Sequence, residues 1–272
     1  METELNFYLR KIDNAYLRCT PGELESTLRA IVHDALAEYG PEDLRRAAIL
    51  NEQGGYYRHI RKLPEAEAAF LEAIEIQKSA GGDKDPDYAT SLNNLAGLYR
   101  LSHEYGKSEK YFLKAAKIYK ATLSEGHYLY TSSLNNLALL YQDMAFYEKA
   151  ASLHLEAAEI LRKKEDPESQ VGYATSISNL AAAFMKMEKY KEAEKLLNGA
   201  LNIYRAIVGK EHTLYAAALN NLGSVYFETG DLFSSNKAYT AAYEICKRKF
   251  GPSHPETVKA GENLLKLKKI MG

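Results

Sequence analysis

Asparagine is the residue whose placement in this chain points most directly to chemistry. Asn94, Asn136, Asn179, Asn221 and Asn263 follow one another at intervals of 42, 43, 42 and 42 residues. A primary amide carries both donors and an acceptor on one side chain. Set on packed helices about 8–10 Å apart, a row of amides can hold the main chain of an extended peptide at roughly every third residue. Arg58, Arg100 and Lys186 lie in the same segments and would add positive charge, with His59, for acidic side chains of a bound segment. Glu52, Asp143, Glu228 and Glu262 are interspersed with them, so a preference for acidic partners is expected only toward the N-terminal half. The same amides could instead tie each helix to its neighbour, and both roles stand open in the sequence.

Other chemistries find little support. The seven histidines (His33, His59, His103, His127, His154, His212 and His254) include no pair at the i, i+4 spacing of a helical metal site. His212 and His254 stand 42 apart in linkers, with His127 read as offset from them, and the three fit a linker cap better than a ligand set. Cys19 and Cys246 lie far apart and read as free thiols of a reducing compartment. There is no phosphate-binding glycine loop, dinucleotide fingerprint or nucleophile elbow. Neither an enzyme nor a cofactor is expected. The 35 Lys and Arg against 36 Asp and Glu leave a net charge of −1, which gives no general attraction for nucleic acid or anionic lipid. The first twenty residues mix charges throughout, and no apolar run reaches the roughly 18–20 residues that span a bilayer. A cytoplasmic protein, monomeric or weakly dimeric, is expected.

The elements that must position these residues recur with the asparagines. SLNNLAGLY (91–99) returns as SLNNLALLY (133–141), SISNLAAAF (176–184) and ALNNLGSVY (218–226). Within each, apolar residues stand at i, i+3, i+4 and i+7, as Leu92, Leu95, Ala96 and Tyr99 do, which is one face of an α-helix. The third position is always Ala or Gly, so that a partner helix can approach. A second helix follows, with Ala66, Phe70, Ala73 and Ile76 in the first copy and Ala150, His154, Ala157 and Ile160 in the third. ILNEQGGYY, around Glu52, is a degenerate first copy. Five helix pairs therefore begin near residues 47, 89, 131, 174 and 216, and a final helix begins near Val258. Such a hairpin cannot bury its apolar faces alone; stacking completes the core. A tyrosine ladder, Tyr88, Tyr130, Tyr173 and Tyr215, falls on the core side.

These motifs resemble the tetratricopeptide repeat, over roughly residues 47–265. Its usual period is about 34 residues with a proline ending the second helix. Here Lys78, Lys120, Arg162, Arg205 and Lys247 replace the proline, so the second helix can run on, and the 42-residue period is similar to the kinesin light chain type. The resemblance implies an all-α, right-handed superhelix (an α-solenoid) in which first helices line a concave groove. It also implies a non-catalytic scaffold or adaptor that takes a protein or peptide ligand there. On this reading residues 1–46 form an N-terminal hairpin, 47–257 the five pairs and 258–272 a capping helix. The N-terminal hairpin has helices over Glu4–Leu17 and up to Tyr39, the second opened by a Thr20–Glu23 capping box. A regulatory sensor that changes shape on binding a signalling peptide, and a module that self-associates through Leu267 and Ile270, are the other readings.

Overall fold

The structure, a computed structural model, describes residues 4–19, 21–124 and 126–271. Thr20, with which the expected capping box begins, lies outside them. Among the described residues every regular element is an α-helix. They are α1 (Glu4–Arg18), α2 (Pro21–Glu38), α3 (Leu44–His59), α4 (Leu63–Ser79), α5 (Pro86–Leu101), α6 (Tyr105–Thr122), α7 (Tyr128–Asp143), α8 (Tyr147–Arg162), α9 (Pro167–Lys186), α10 (Tyr190–Ile207), α11 (Thr213–Glu228), α12 (Leu232–Phe250) and α13 (Pro255–Met271). They form two compact units, one holding α1–α6 and the other α7–α13. Inside each unit every helix packs on the next in sequence. First helices of successive pairs also touch, α3 on α5 in one unit, α7 on α9 and α9 on α11 in the other.

First helices start a full turn before the apolar periodicity does, because a cap residue precedes each one. Asp43, Asp85 and Asp166 accept hydrogen bonds from the backbone N–H groups of Arg45, Asp87 and Ser169. His127, His212 and His254 do the same work through Nδ1, to the N–H groups of Leu129, Leu214 and Glu256 at 3.2–3.3 Å. All three histidines stand nine residues before a marker asparagine. The expected offset of His127 was an artefact of the single 43-residue step. The basic residues that replace the proline occupy the last turns of α4, α6, α8, α10 and α12, where they oppose the exposed carbonyls.

Each hairpin turns through one residue in the left-handed region. Arg61, His103, Ala145, Glu188 and Gly230 occupy that position in the five copies, with φ of 58–84°. Only the last is the glycine such a conformation favours.

The small residue at the third apolar position governs how closely the two helices of a pair approach. Ala96, Ala138 and Ala181 are fully buried there, facing the Phe112, His154 and Leu197 column. In the two outer copies the position is glycine. A Cβ on Gly54 would lie 2.6 Å from the ring of Phe70, and one on Gly223 2.6 Å from that of Tyr239. Gly54 thus permits close packing within an unbroken α3. The tyrosine ladder is on the core side: Tyr88 and Tyr130 are buried, and Tyr173 and Tyr215 pack against the core of the second unit.

Candidate functional site

Two columns of polar residues run along the first helices, one position apart. The first is Asn51, Asn135 and Asn220, each immediately before a marker position. These amides stitch neighbouring helices. Asn51 Nδ2 on α3 donates to Ser91 Oγ on α5 at 2.6 Å, and Ser91 Oγ donates to Gln77 Oε1 on α4 at 2.7 Å. Asn135 Nδ2 on α7 donates to Ser176 Oγ on α9 at 2.9 Å. Ser91 and Ser176 are fully buried and belong to the seam between helices. Thr90 is likewise occupied, bonded to the hydroxyl of Tyr119 at 2.8 Å; Thr175 and Tyr204 repeat the pair in the second unit.

The second column is the marker row itself. Asn94 on α5, Asn136 on α7, Asn179 on α9 and Asn221 on α11 are all half-buried. The side-chain amides of Asn94, Asn179 and Asn221 make no hydrogen bond to any of the described residues. Asn263 on α13 stitches as well, donating from Nδ2 to Asn220 Oδ1 at 2.9 Å. The second unit thus carries Asn136, Asn179, Asn221 and Asn263 on four successive first helices.

The first unit groups Arg58, Asn94 and Arg100. Arg58 Nη1 donates to the backbone carbonyl of Asn94 at 3.3 Å, and its guanidinium stands 5.9 Å from the Phe70 ring centroid. Gly97 makes room for it, since a Cβ there would lie 2.9 Å from Nη1. Burial and the nearby charge of Arg100 together push the Arg58 pKa below the usual arginine range. Its other donors make no hydrogen bond to the described residues. Lys186, in contrast, is an exposed residue ending α9.

One polar cluster was not anticipated. His154 occupies the aromatic position of a second helix and is fully buried. Its Nδ1 donates to Asn135 Oδ1 at 2.6 Å, and its Nε2 accepts from Gln142 Nε2 at 2.9 Å. The imidazole is held neutral, burial pushing its pKa down to about 4. It therefore completes the stitching of α7, α8 and α9. The signal in the sequence was the replacement of an apolar residue by histidine in one copy, opposite a column of asparagines.

A family model described as tetratricopeptide repeat matches residues 45–121, 94–163 and 172–248. No curated protein matches the chain. Among solved structures, the nearly identical TPR-like repeats assigned to a kinesin light chain of Podosopora anserina superpose with a TM-score of 0.62 at 20% identity. That match covers 78% of this chain and 98% of that one. BtubC (BKLC) from P. vanneervenii gives 0.60 at 20% identity, over 76% of this chain and 94% of that one. A Rap protein complexed with competence and sporulation factor gives 0.71 at 16% identity, over 100% of this chain and 76% of that one.

Proposed function

Because the chain belongs to the tetratricopeptide repeat family, with repeats of the kinesin light chain type, we propose that it is a non-catalytic scaffold. It binds an extended peptide or protein segment along its first helices. One observation carries this reading: the side-chain amides of Asn94, Asn179 and Asn221 make no hydrogen bond to any described residue, while Asn51 and Asn135 in the neighbouring column stitch helices together. An amide with a free donor and acceptor can form the paired hydrogen bonds that a peptide main chain offers. Asn136 and Lys186 belong to the same proposed face in the second unit, where Asn263 adds only its Oδ1 because its Nδ2 bonds to Asn220, and Arg58 and Arg100 belong to that of the first.

The test is affinity capture by the native chain against two variants. Asn179→Ala with Asn221→Ala removes two amides from the proposed face of the second unit, and Asn94→Ala removes the amide of the first. Loss of captured partners with either variant, at unchanged melting temperature, supports the reading; full retention by both overturns it. A second reading, a sensor for a signalling peptide, is supported by the likeness to the Rap protein, which was solved with its peptide factor. Compaction on adding a peptide, followed by small-angle scattering, distinguishes the sensor from a passive scaffold.

A further inference from the structure

Gln77, Tyr119, Leu161, Tyr204 and Cys246 hold one register on the five second helices, each directly after the isoleucine of the apolar column. All five are buried, and the last copy alone puts a small side chain there. Tyr204, one repeat earlier in the same unit, shows what the place can hold. Its side chain crosses from α10 to α9, where its hydroxyl bonds to Thr175 Oγ1 at 2.9 Å, and it shares a buried cluster with Ala218 of α11. Advanced by 42 residues, Tyr204, Thr175 and Ala218 become Cys246, Ala217 and Ala260. The phenol and its hydroxyl partner are thus lost together.

A cavity of about 310 Å³ lies between α11, α12 and α13, and Cys246, Ala217 and Ala260 all line it. Ala242 adds a further small apolar wall. Phe250 also lines it, its ring stacked on that of His254 with centroids 4.2 Å apart. Ala217 and Phe250 are exposed, so the cavity is reached from solvent. Burial, with the charge of Glu256 nearby, pushes the Cys246 thiol up, so the sulfur there is neutral and polarisable. Asn221, whose amide bonds to none of the described residues, belongs to the same lining. Any apolar group gains by leaving water here, and a flat ring gains further against Phe250 and the sulfur.

We infer that this cavity takes an aromatic side chain of a bound partner segment. The ring occupies the place that Tyr204 fills one repeat earlier, and the segment's main chain lies at Asn221. The inference rests on the proposed binding face, because Asn221 belongs to both.

Methyl NMR of the full chain, labelled at alanine, tests it. The first probe is p-cresol, the side-chain analogue of tyrosine, and the second a blocked Gly-Phe-Gly tripeptide. Saturable ring-current shifts of the Ala242 and Ala260 methyls are expected with both. Cyclohexanol, of similar size without an aromatic ring, should bind about threefold more weakly or worse. Cys246→Tyr with Ala217→Thr rebuilds the pair that Tyr204 and Thr175 form, and should abolish both titrations without lowering the melting temperature. Ala217→Leu, a change at an exposed residue, serves if that variant folds poorly, and should weaken both probes. Absence of p-cresol shifts, equal affinity for cyclohexanol, or binding that survives the filled cavity overturns the inference and leaves the asparagine face standing. Asn221→Ala separates the two readings: it should weaken the tripeptide and spare p-cresol. A tripeptide indifferent to Asn221→Ala would keep the ring pocket and overturn the placing of the main chain at that amide.

Discussion

His154 on α8 and Asn135 on α7 share a 2.6 Å hydrogen bond inside the second unit, and Asn135 passes the connection on to Ser176 of α9. A single imidazole therefore joins three helices at a position where other copies place Phe70, Phe112, Leu197 and Tyr239.

The burial of that imidazole makes stability depend on pH. Folded His154 stays neutral down to about pH 4, whereas the unfolded chain takes up the proton near 6.5. Between those values the unfolded state binds more protons, so stability falls as acid is added and the loss is complete only below the folded value. A depression of this size corresponds to about 3 kcal/mol. Denaturant midpoints measured from pH 7 to pH 4 should show this decline, and His154→Leu should flatten it. An unchanged slope in the variant would assign the acid sensitivity to other groups.

Gly223 and Tyr239 give a second expectation. An added methyl at Gly223 meets the Tyr239 ring at 2.6 Å, so Gly223→Ala should cost about 1–3 kcal/mol by overpacking. The fourth copy resolves the same conflict by pairing Ala181 with Leu197, both fully buried. Adding Tyr239→Leu should therefore recover part of the loss. A double-mutant cycle on thermal or urea unfolding reads the coupling; strict additivity would show that the ring is not the obstacle.

The hairpin turns offer a stabilising change. Ala145 adopts φ of 60°, a conformation that costs an L-residue about 1–2 kcal/mol, part of which glycine returns as unfolded-state entropy. Ala145→Gly should raise stability by about 0.5–1 kcal/mol. Gly230→Ala, at the same position of the last pair, should lower it by a similar amount. Opposite signs in the two melting temperatures are the check.

The repeat period, the helix pairs and the third-position small residues were legible because each follows from spacing along one helix. Helix starts were not, since apolar periodicity is silent about the cap that precedes it: Asp43 and His212 lie outside the stripe and still set where α3 and α11 begin. The two asparagine columns looked equivalent in SLNNLAGLY. What separates Asn51 and Asn135 from the marker row is a serine 40 or 41 residues on, at the facing position of the next first helix. That complementarity belongs to pairs of helices and appears only once they are docked. His154 was hidden for the opposite reason, because a polar residue in an apolar column carries no period of its own.

The distinction between the columns can be measured directly. Asn135→Ala removes the acceptor of the buried His154 Nδ1–H and the donor to Ser176 Oγ, which keeps its own bond to the Gly172 carbonyl. Buried groups left unpaired cost about 1–3 kcal/mol, so this variant should melt markedly lower. Asn179→Ala removes an amide that bonds to none of the described residues, and surface changes away from such networks stay within about 0.5 kcal/mol. The same Asn→Ala change, made in two columns of one unit, should therefore split into a structural phenotype and a binding one. Asn135→Ala loses stability, and Asn179→Ala with Asn221→Ala loses partner capture at native stability. If Asn179→Ala proved as destabilising as Asn135→Ala, the marker row would be part of the stitching, and the amides assigned to ligand would not be available for it.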